Sequence, residues 1–161
     1  MREVPADSGI ALRRAGPGDA ARLLEWRNDA DVIRFSMTGR PVDAADHAAW
    51  FASALARPGV RLWIAEEGGT PVGQVRIDVK DGTGTVSIAV APSHRGRGIG
   101  TSMLGAMVAE VEAGSGVRTL RAVVHRDNIA SRRAFERQGF TDTGRRRKGF
   151  LVFELDVGAK R

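Results

Sequence analysis

The chain has 161 residues, 42% apolar and 27% charged, a balance that fits one globular domain over residues 1–161 with a core of its own. It has no cysteine, which excludes disulfides, thiolate metal sites and a cysteine nucleophile. The net charge of +6 with histidine neutral leaves three classes of anionic partner to weigh: nucleic acid, membrane surface and phosphorylated small molecule.

The first residues, MREVPADSGIALRR, lack the apolar segment of an export signal, and no run approaches the ~20 apolar residues of a membrane span, so the expectation is a cytoplasmic protein with no membrane partner. A short strand is predicted from Ile10 to Arg13. Gly16-Pro17-Gly18-Asp19 then starts a helix over Ala20–Asn28 that buries Leu23, Leu24 and Trp26. A second helix follows Pro41, with Asp43 as its N-cap and Asp46 in its first turn. It ends before Pro58 and presents Trp50, Phe51, Ala54 and Leu55 at helical spacing. Strands are predicted at Arg61–Glu66 and Pro71–Val79 around the hairpin signal Gly68-Gly69, and a third over Val86–Val90 after the turn Asp81-Gly82-Thr83-Gly84. Next come a glycine-rich turn and an amphipathic helix carrying Met103, Leu104, Met107, Val108 and Val111, ending near Gly114-Ser115-Gly116. Leu120–Val124 reads as a strand. Asn128 caps a helix over Ile129–Gln138 that Gly139 stops. Strands at Phe140–Arg145 and Phe150–Leu155 close the chain, with Arg145-Arg146-Arg147-Lys148 read as a solvated hairpin turn. The order predicts a mixed α/β fold, its sheet mainly antiparallel with helices on both faces.

The most informative segment is VSIAVAPSHRGRGIGTSMLGAM, from Val86 to Met107. Strand, turn and helix meet at Arg95-Gly96-Arg97-Gly98-Ile99-Gly100. The glycines let backbone approach a ligand, and the helix start aims unpaired N–H groups and the positive dipole end at one point. Such a point binds phosphate, and Arg95 and Arg97 are expected to add charge to it. Two phosphate-binding families do not fit. The dinucleotide fingerprint needs G-x-G-x-x-G after the first strand of a βαβ unit, whereas the spacing here is G-x-G-x-G after a strand-rich block; a P-loop needs Gly-Lys-Ser or Gly-Lys-Thr, and the chain has neither.

The segment resembles the GCN5-related N-acetyltransferase superfamily, whose pyrophosphate loop reads [RQ]-x-x-G-x-[GA]; Arg95, Gly98 and Gly100 stand at those places. A later family pattern, a strand followed by N-x-x-[AS] and a helix closing on G-F, is matched by Asn128, Ser131, Gly139 and Phe140, and the resemblance runs from about Leu62 to Leu155. It implies an acyl-CoA N-acyltransferase fold with a splayed parallel pair, Val86–Val90 and Leu120–Val124. Acetyl-CoA would lie in the gap as co-substrate, with no metal. Its pantetheine arm would meet main-chain groups of Ile88, Ala89 and Val90, and its diphosphate the N–H groups of Arg95, Gly96, Arg97, Gly98, Ile99, Gly100 and Thr101. Asn128 would fix the pantetheine near its sulfur, supported by Ser131.

The implied reaction is direct attack of a small-molecule amine on the thioester in a ternary complex. Here the sequence departs from the family: the tyrosine that serves many members as general acid is replaced by Phe135, and the chain has no tyrosine at all. A thiol of pKa about 8.5 leaves tolerably as thiolate near neutral pH, and Ser131, Asn128 or a water can assist. For the base, His125 has the right intrinsic pKa, while Ser87, Glu66 and Asp78 on neighbouring strands are candidates to order a water; each competes with a plain structural role. His47, His94 and His125 show no metal-ligand spacing. On the acceptor side stand Trp26, Arg27, Asn28, His47 and Trp50. Their arrangement is similar to the branch that acetylates ribosomal-protein N-termini and nucleotide-linked amino sugars, the latter being closer. The alternatives are a protein N-terminal acetyltransferase and a non-catalytic module binding acyl-CoA or nucleic acid. The nucleic-acid reading is disfavoured, since no helix-turn-helix or aromatic sheet signature accompanies the basic cluster; a homodimer is compatible with the chain.

Overall fold

The computed structural model describes residues 9–114 and 116–158. The reading of the first eight residues, and that of Ser115 within the Gly114-Ser115-Gly116 helix stop, lie outside the described residues. β1 (Ile10–Arg14), β2 (Val60–Glu67), β3 (Thr70–Lys80), β4 (Thr83–Val90), β5 (Thr119–His125), β6 (Thr141–Arg147) and β7 (Phe150–Asp156) form one sheet in the order β1-β2-β3-β4-β5-β7-β6. Every neighbouring pair is antiparallel except β4 and β5. α1 (Ala20–Arg27), α2 (Ala30–Phe35) and α3 (Ala44–Ala56) precede β2; α4 (Ile99–Ala113) joins β4 to β5, and α5 (Ile129–Arg137) joins β5 to β6.

Period-2 alternation divides the sheet into two faces. On one, Val75, Ile77, Val86, Leu120, Ala122 and Phe153 meet Met103, Leu104, Met107, Val108 and Val111 of α4 and Ala134 and Phe135 of α5. On the other, Leu62 and Ile64 of β2 meet Leu23 and Trp26 of α1 and Phe51 of α3. α3 buries His47, Phe51 and Ala54, spaced i, i+4, i+7, which leaves Leu55 exposed and Trp50 partly covered, a rotation of the expected face. Leu24 is only half-buried beside Leu23 and Trp26.

Three further elements differ from the sequence reading. α2 was not expected. Asp29 nucleates it, accepting hydrogen bonds from the N–H groups of Asp31 and Val32, and six residues are too few for a periodic signal. β4 begins at Thr83, not Val86, because Asp81 and Gly82 both take positive φ and make a two-residue turn that already pairs Thr83 with Lys80. Arg145, Arg146 and Arg147 lie on the exposed edge strand, and the hairpin turn is Lys148-Gly149, again with both φ positive. Charged side chains on an edge oppose strand addition by another chain.

The end of α5 follows the expectation. Gly139 sits at φ +90°, its N–H donates to the Glu136 carbonyl, and the N–H of Phe140 donates to that of Phe135. This is a Schellman closure, with the Phe135 and Phe140 rings packed edge-on 5.0 Å apart.

Candidate active site

The parallel pairing of β4 and β5 covers Thr83–Thr119 through Val86–Ala122 and goes no further, although β4 continues to Val90 and β5 to His125. Beyond Val86 the strands part, each still held on its outer side by β3 or β7. The Ala91 N–H donates to the Val72 carbonyl across β3 at 2.8 Å. Antiparallel alternation therefore turns Ala89 toward Gln74 and aims the N–H and C=O groups of Ile88 and Val90 into the gap. On the opposite wall the Arg126 N–H donates to the Gly149 carbonyl, so by the same alternation Val123 turns its main chain into the wedge. Unpaired main-chain groups inside a sheet need a partner. An extended ligand bearing amides matches that demand.

The mouth of the wedge is the turn into α4. Gly98 is its N-cap at φ +76° and Gly96 stands at φ +79°; a Cβ at either would meet nothing within 4 Å. Among the described residues none of the N–H groups from Gly96 to Thr101 is given to a protein acceptor, and the first that is, Ser102, donates to Gly98. A run of free amides at the positive end of a fifteen-residue helix is an anion site made of backbone. Contrary to the expectation that they add charge to this point, Arg95 and Arg97 are both paired with acids. Arg95 pairs with Asp29 at 2.6 Å and Asp31 at 3.2 Å, fastening the loop to α2, and Arg97 pairs with Glu67 at 3.2 Å. Asn128 accepts the Ser131 N–H at 3.2 Å as the cap of α5 and keeps its amide nitrogen for another partner. An anion site made of backbone beside a wedge of unpaired main-chain groups suits, in polarity and charge, the diphosphate and amide-bearing pantetheine arm of a CoA thioester.

The other expected residues fall into two groups. Ser87 and His125 stand on the wedge strands themselves, on the α1–α3 side of the sheet. Asp78 lies on β3 on the same face, its carboxylate bonded to the Arg76 Nε at 3.0 Å, and the Arg76 guanidinium lies over the Trp50 ring, 5.1 Å from its centre. His125 packs between Phe35 and Phe150, with ring centres 5.3 and 5.1 Å away, and its Nδ1 accepts the Asp127 N–H at 3.1 Å.

The second group is engaged within the fold. Glu66, two strands from the wedge, holds the Arg13 Nε at 2.8 Å. Trp26 is core. Asn28 exchanges two hydrogen bonds with the main chain of Val42, and Arg27 donates to the Arg40 carbonyl and Thr38 hydroxyl; together they pin the chain between α2 and α3. His47 is buried against Trp50 and Phe51, and burial, with Arg27 nearby, holds its pKa below the usual value, so it is neutral at physiological pH. Sequence reasoning missed Phe35, Arg76 and Phe150 on the acceptor side; Arg76 follows from strand alternation, as the cross-strand partner of Ser87. Among the described residues no group of three or more His, Asp or Glu can hold a metal ion, and no helix is long and apolar enough to cross a membrane.

Comparison with known proteins gives a consistent result. Residues 10–141 match the family model of the acetyltransferase (GNAT) domain. The chain is 30% identical over 142 residues to an L-methionine sulfoximine/L-methionine sulfone acetyltransferase of Pseudomonas paraeruginosa, an alignment covering 83% of this chain and 81% of that protein. Its fold is similar to that of the aminoglycoside acetyltransferase AAC(6')-Ib in complex with coenzyme A and kanamycin, with a TM-score of 0.78 and 22% identity, covering 91% of this chain and 94% of that one. A spermidine N-acetyltransferase from Vibrio cholerae in complex with CoA and spermine gives a TM-score of 0.80 at 15% identity, with 92% and 94% covered.

Proposed function

The chain belongs to the GNAT acetyltransferase family, and from that membership we propose that it moves the acetyl group of acetyl-CoA to a primary amine of a small molecule, by direct attack in a ternary complex. The observation that carries this reading is the wedge beyond Val86–Ala122, with Ile88 and Val90 opening into it and the free amides of Gly96–Thr101 at its mouth. The amides hold the diphosphate, the wedge takes the pantetheine arm as a surrogate strand, and Asn128 supports the arm near its sulfur. The amine nitrogen bonds to the thioester carbon, the carbon–sulfur bond breaks, and sulfur leaves with the electron pair as thiolate. A water ordered by Ser87, with Asp78 nearby, takes the proton that the nitrogen sheds. Residues 1–161 act as one domain in this reading, in the cytoplasm.

The acceptor approaches from the α1–α3 side, past Phe35, Trp50 and Arg76. The resemblance in sequence points to a nucleotide-linked amino sugar, with Trp26, Arg27, Asn28, His47 and Trp50 on the acceptor side; because Trp26, Arg27, Asn28 and His47 are engaged within the fold, in this reading the acceptor lies against Trp50, with Arg76 added. The 30% identical relative is named for amino-acid analogues, which favours a compact amine with an anionic group that Arg76 can meet. The test is a thiol-release screen with acetyl-CoA against L-methionine sulfone, nucleotide-linked amino sugars, kanamycin, spermine and peptide N-termini. Saturable, amine-dependent release with one class supports the reading. Tight CoA binding without release across the panel would mark a binding module instead.

A further inference from the structure

The thioester oxygen takes on negative charge as the amine attacks and needs a hydrogen-bond donor beside it; Phe135, which stands where many family members carry the general-acid tyrosine, is 2% exposed, packed against Phe140 and Phe153, and offers no polar group to the reaction. We propose that His125 supplies the donor, fixed in place, through Nε2, and that it is not the base. The inference rests on the transferase reading above.

The argument starts from the tautomer. A neutral imidazole has one N–H and one acceptor nitrogen. The Asp127 N–H donates to Nδ1 at 3.1 Å, so Nδ1 is the acceptor and the proton is on Nε2. A ring in that state has no lone pair at Nε2 with which to take a proton from an amine. It offers an N–H there instead.

The surroundings hold the ring in place. Phe35 packs on it from α2 and Phe150 from β7, and the His125 carbonyl accepts the Asn128 N–H at 2.9 Å, which locks the turn that presents Asp127. His125 ends β5, three residues past the last parallel pair, where the wedge is open, and it lies on the acceptor face with Ser87. Among the described residues Nε2 has no protein partner. A donor that is oriented in advance costs no reorganisation when charge develops, which is why a neutral histidine can serve an oxyanion. No proton is transferred at this nitrogen: the hydrogen bond strengthens as the thioester oxygen becomes an oxyanion and relaxes as the carbon–sulfur bond breaks.

Two measurements test it. Long-range proton–nitrogen correlation spectra of the labelled protein at pH 8 resolve the tautomers of its three histidines; His125 is expected as the Nε2–H form. His125→Leu should lower kcat by about 10²-fold with the best amine of the panel, the loss typical of one oxyanion donor, while acetyl-CoA affinity stays near that of the wild type. His125→Gln, whose amide keeps an N–H but cannot act as a base, should restore most of that turnover. An Nδ1–H tautomer, or a glutamine variant as inactive as the leucine variant, overturns the proposal. If the wild-type protein binds acetyl-CoA yet releases no thiol with any amine, the transferase reading itself falls, whatever the tautomer.

Discussion

Gly98 separates what the fold needs at the turn into α4 from what the ligand needs. It holds φ +76°, and a Cβ there would meet no protein atom within 4 Å. The direct cost of Gly98→Ala is therefore conformational, about 1–2 kcal/mol for an L-residue in the left-handed region. Gly98→Val adds branching at the same φ and reaches about 3 kcal/mol, still inside the ~5–15 kcal/mol that a domain has in hand. In the proposed reading, the open space around that Cβ is where the diphosphate lies to reach the amides. Loss of one charge-assisted hydrogen bond weakens binding by about tenfold or more, and exclusion of the whole group by Val should raise the acetyl-CoA Kd at least ~100-fold. Gly100 is the control. It has an ordinary helical backbone, and its Cβ would point inward, 3.6 Å from Val90 Cγ2, so Gly100→Ala should keep stability and binding near wild type. Urea denaturation and calorimetric titration with acetyl-CoA read the two quantities separately. A Gly98→Val protein that is folded and binds acetyl-CoA like the wild type would refute the reasoning.

Asp19 is buried and bonded to Arg13 at 2.8 and 2.9 Å and to the Gly16 N–H, contacts that hold its carboxyl below the usual carboxylate range. With a folded pKa below the unfolded ~3.9, its contribution is complete above about pH 4 and is lost as pH falls through the lower folded value; Asp19→Asn should cost about 1–2 kcal/mol at pH 7 and flatten the acid limb of a denaturation series. Asn28→Ala removes both bonds to Val42 and should cost about 1–2 kcal/mol in urea denaturation, with faster amide exchange between α2 and α3. Gln138 is fully buried; its Nε2 donates to the Thr101 carbonyl, while its Oε1 has no partner. Gln138→Met fills the same space without an unsatisfied oxygen and should leave stability unchanged or raise it by about 1 kcal/mol; a loss of more than that would show that the bond to Thr101 outweighs the buried oxygen.

Local signals were legible in the sequence because their physics is local. Gly139 after a helix, Asp43 before one and glycines ahead of the α4 stripe each encode backbone geometry within a few residues, and each stands where it was expected. The parallel pair came from the resemblance, since nothing in the spacing of Val86–Val90 and Leu120–Val124 dictates that they neighbour each other or where they part. The acceptor side was the least legible. Trp26, Arg27, Asn28 and His47 are residue types that bind ligands and also types that pin loops and fill cores. For Arg27 and Asn28 the role depends on Arg40, Thr38 and Val42, and for Trp26 and His47 on the packing of α1 and α3 against the sheet, placements that no periodicity encodes. Arg95 and Arg97 show the same limit: their charges could be counted, but the acids that meet them lie 30 or more positions away.

The most direct measurement of the account's central claim is an amide-resolved NMR titration of the labelled protein with coenzyme A. The largest shifts should fall on the N–H groups of Gly96 to Thr101 and on those of Ile88 and Val90, with the loop amides moving at the same ligand concentrations as the wedge. Saturable binding that leaves those amides in place and moves the basic β6 edge instead would contradict it.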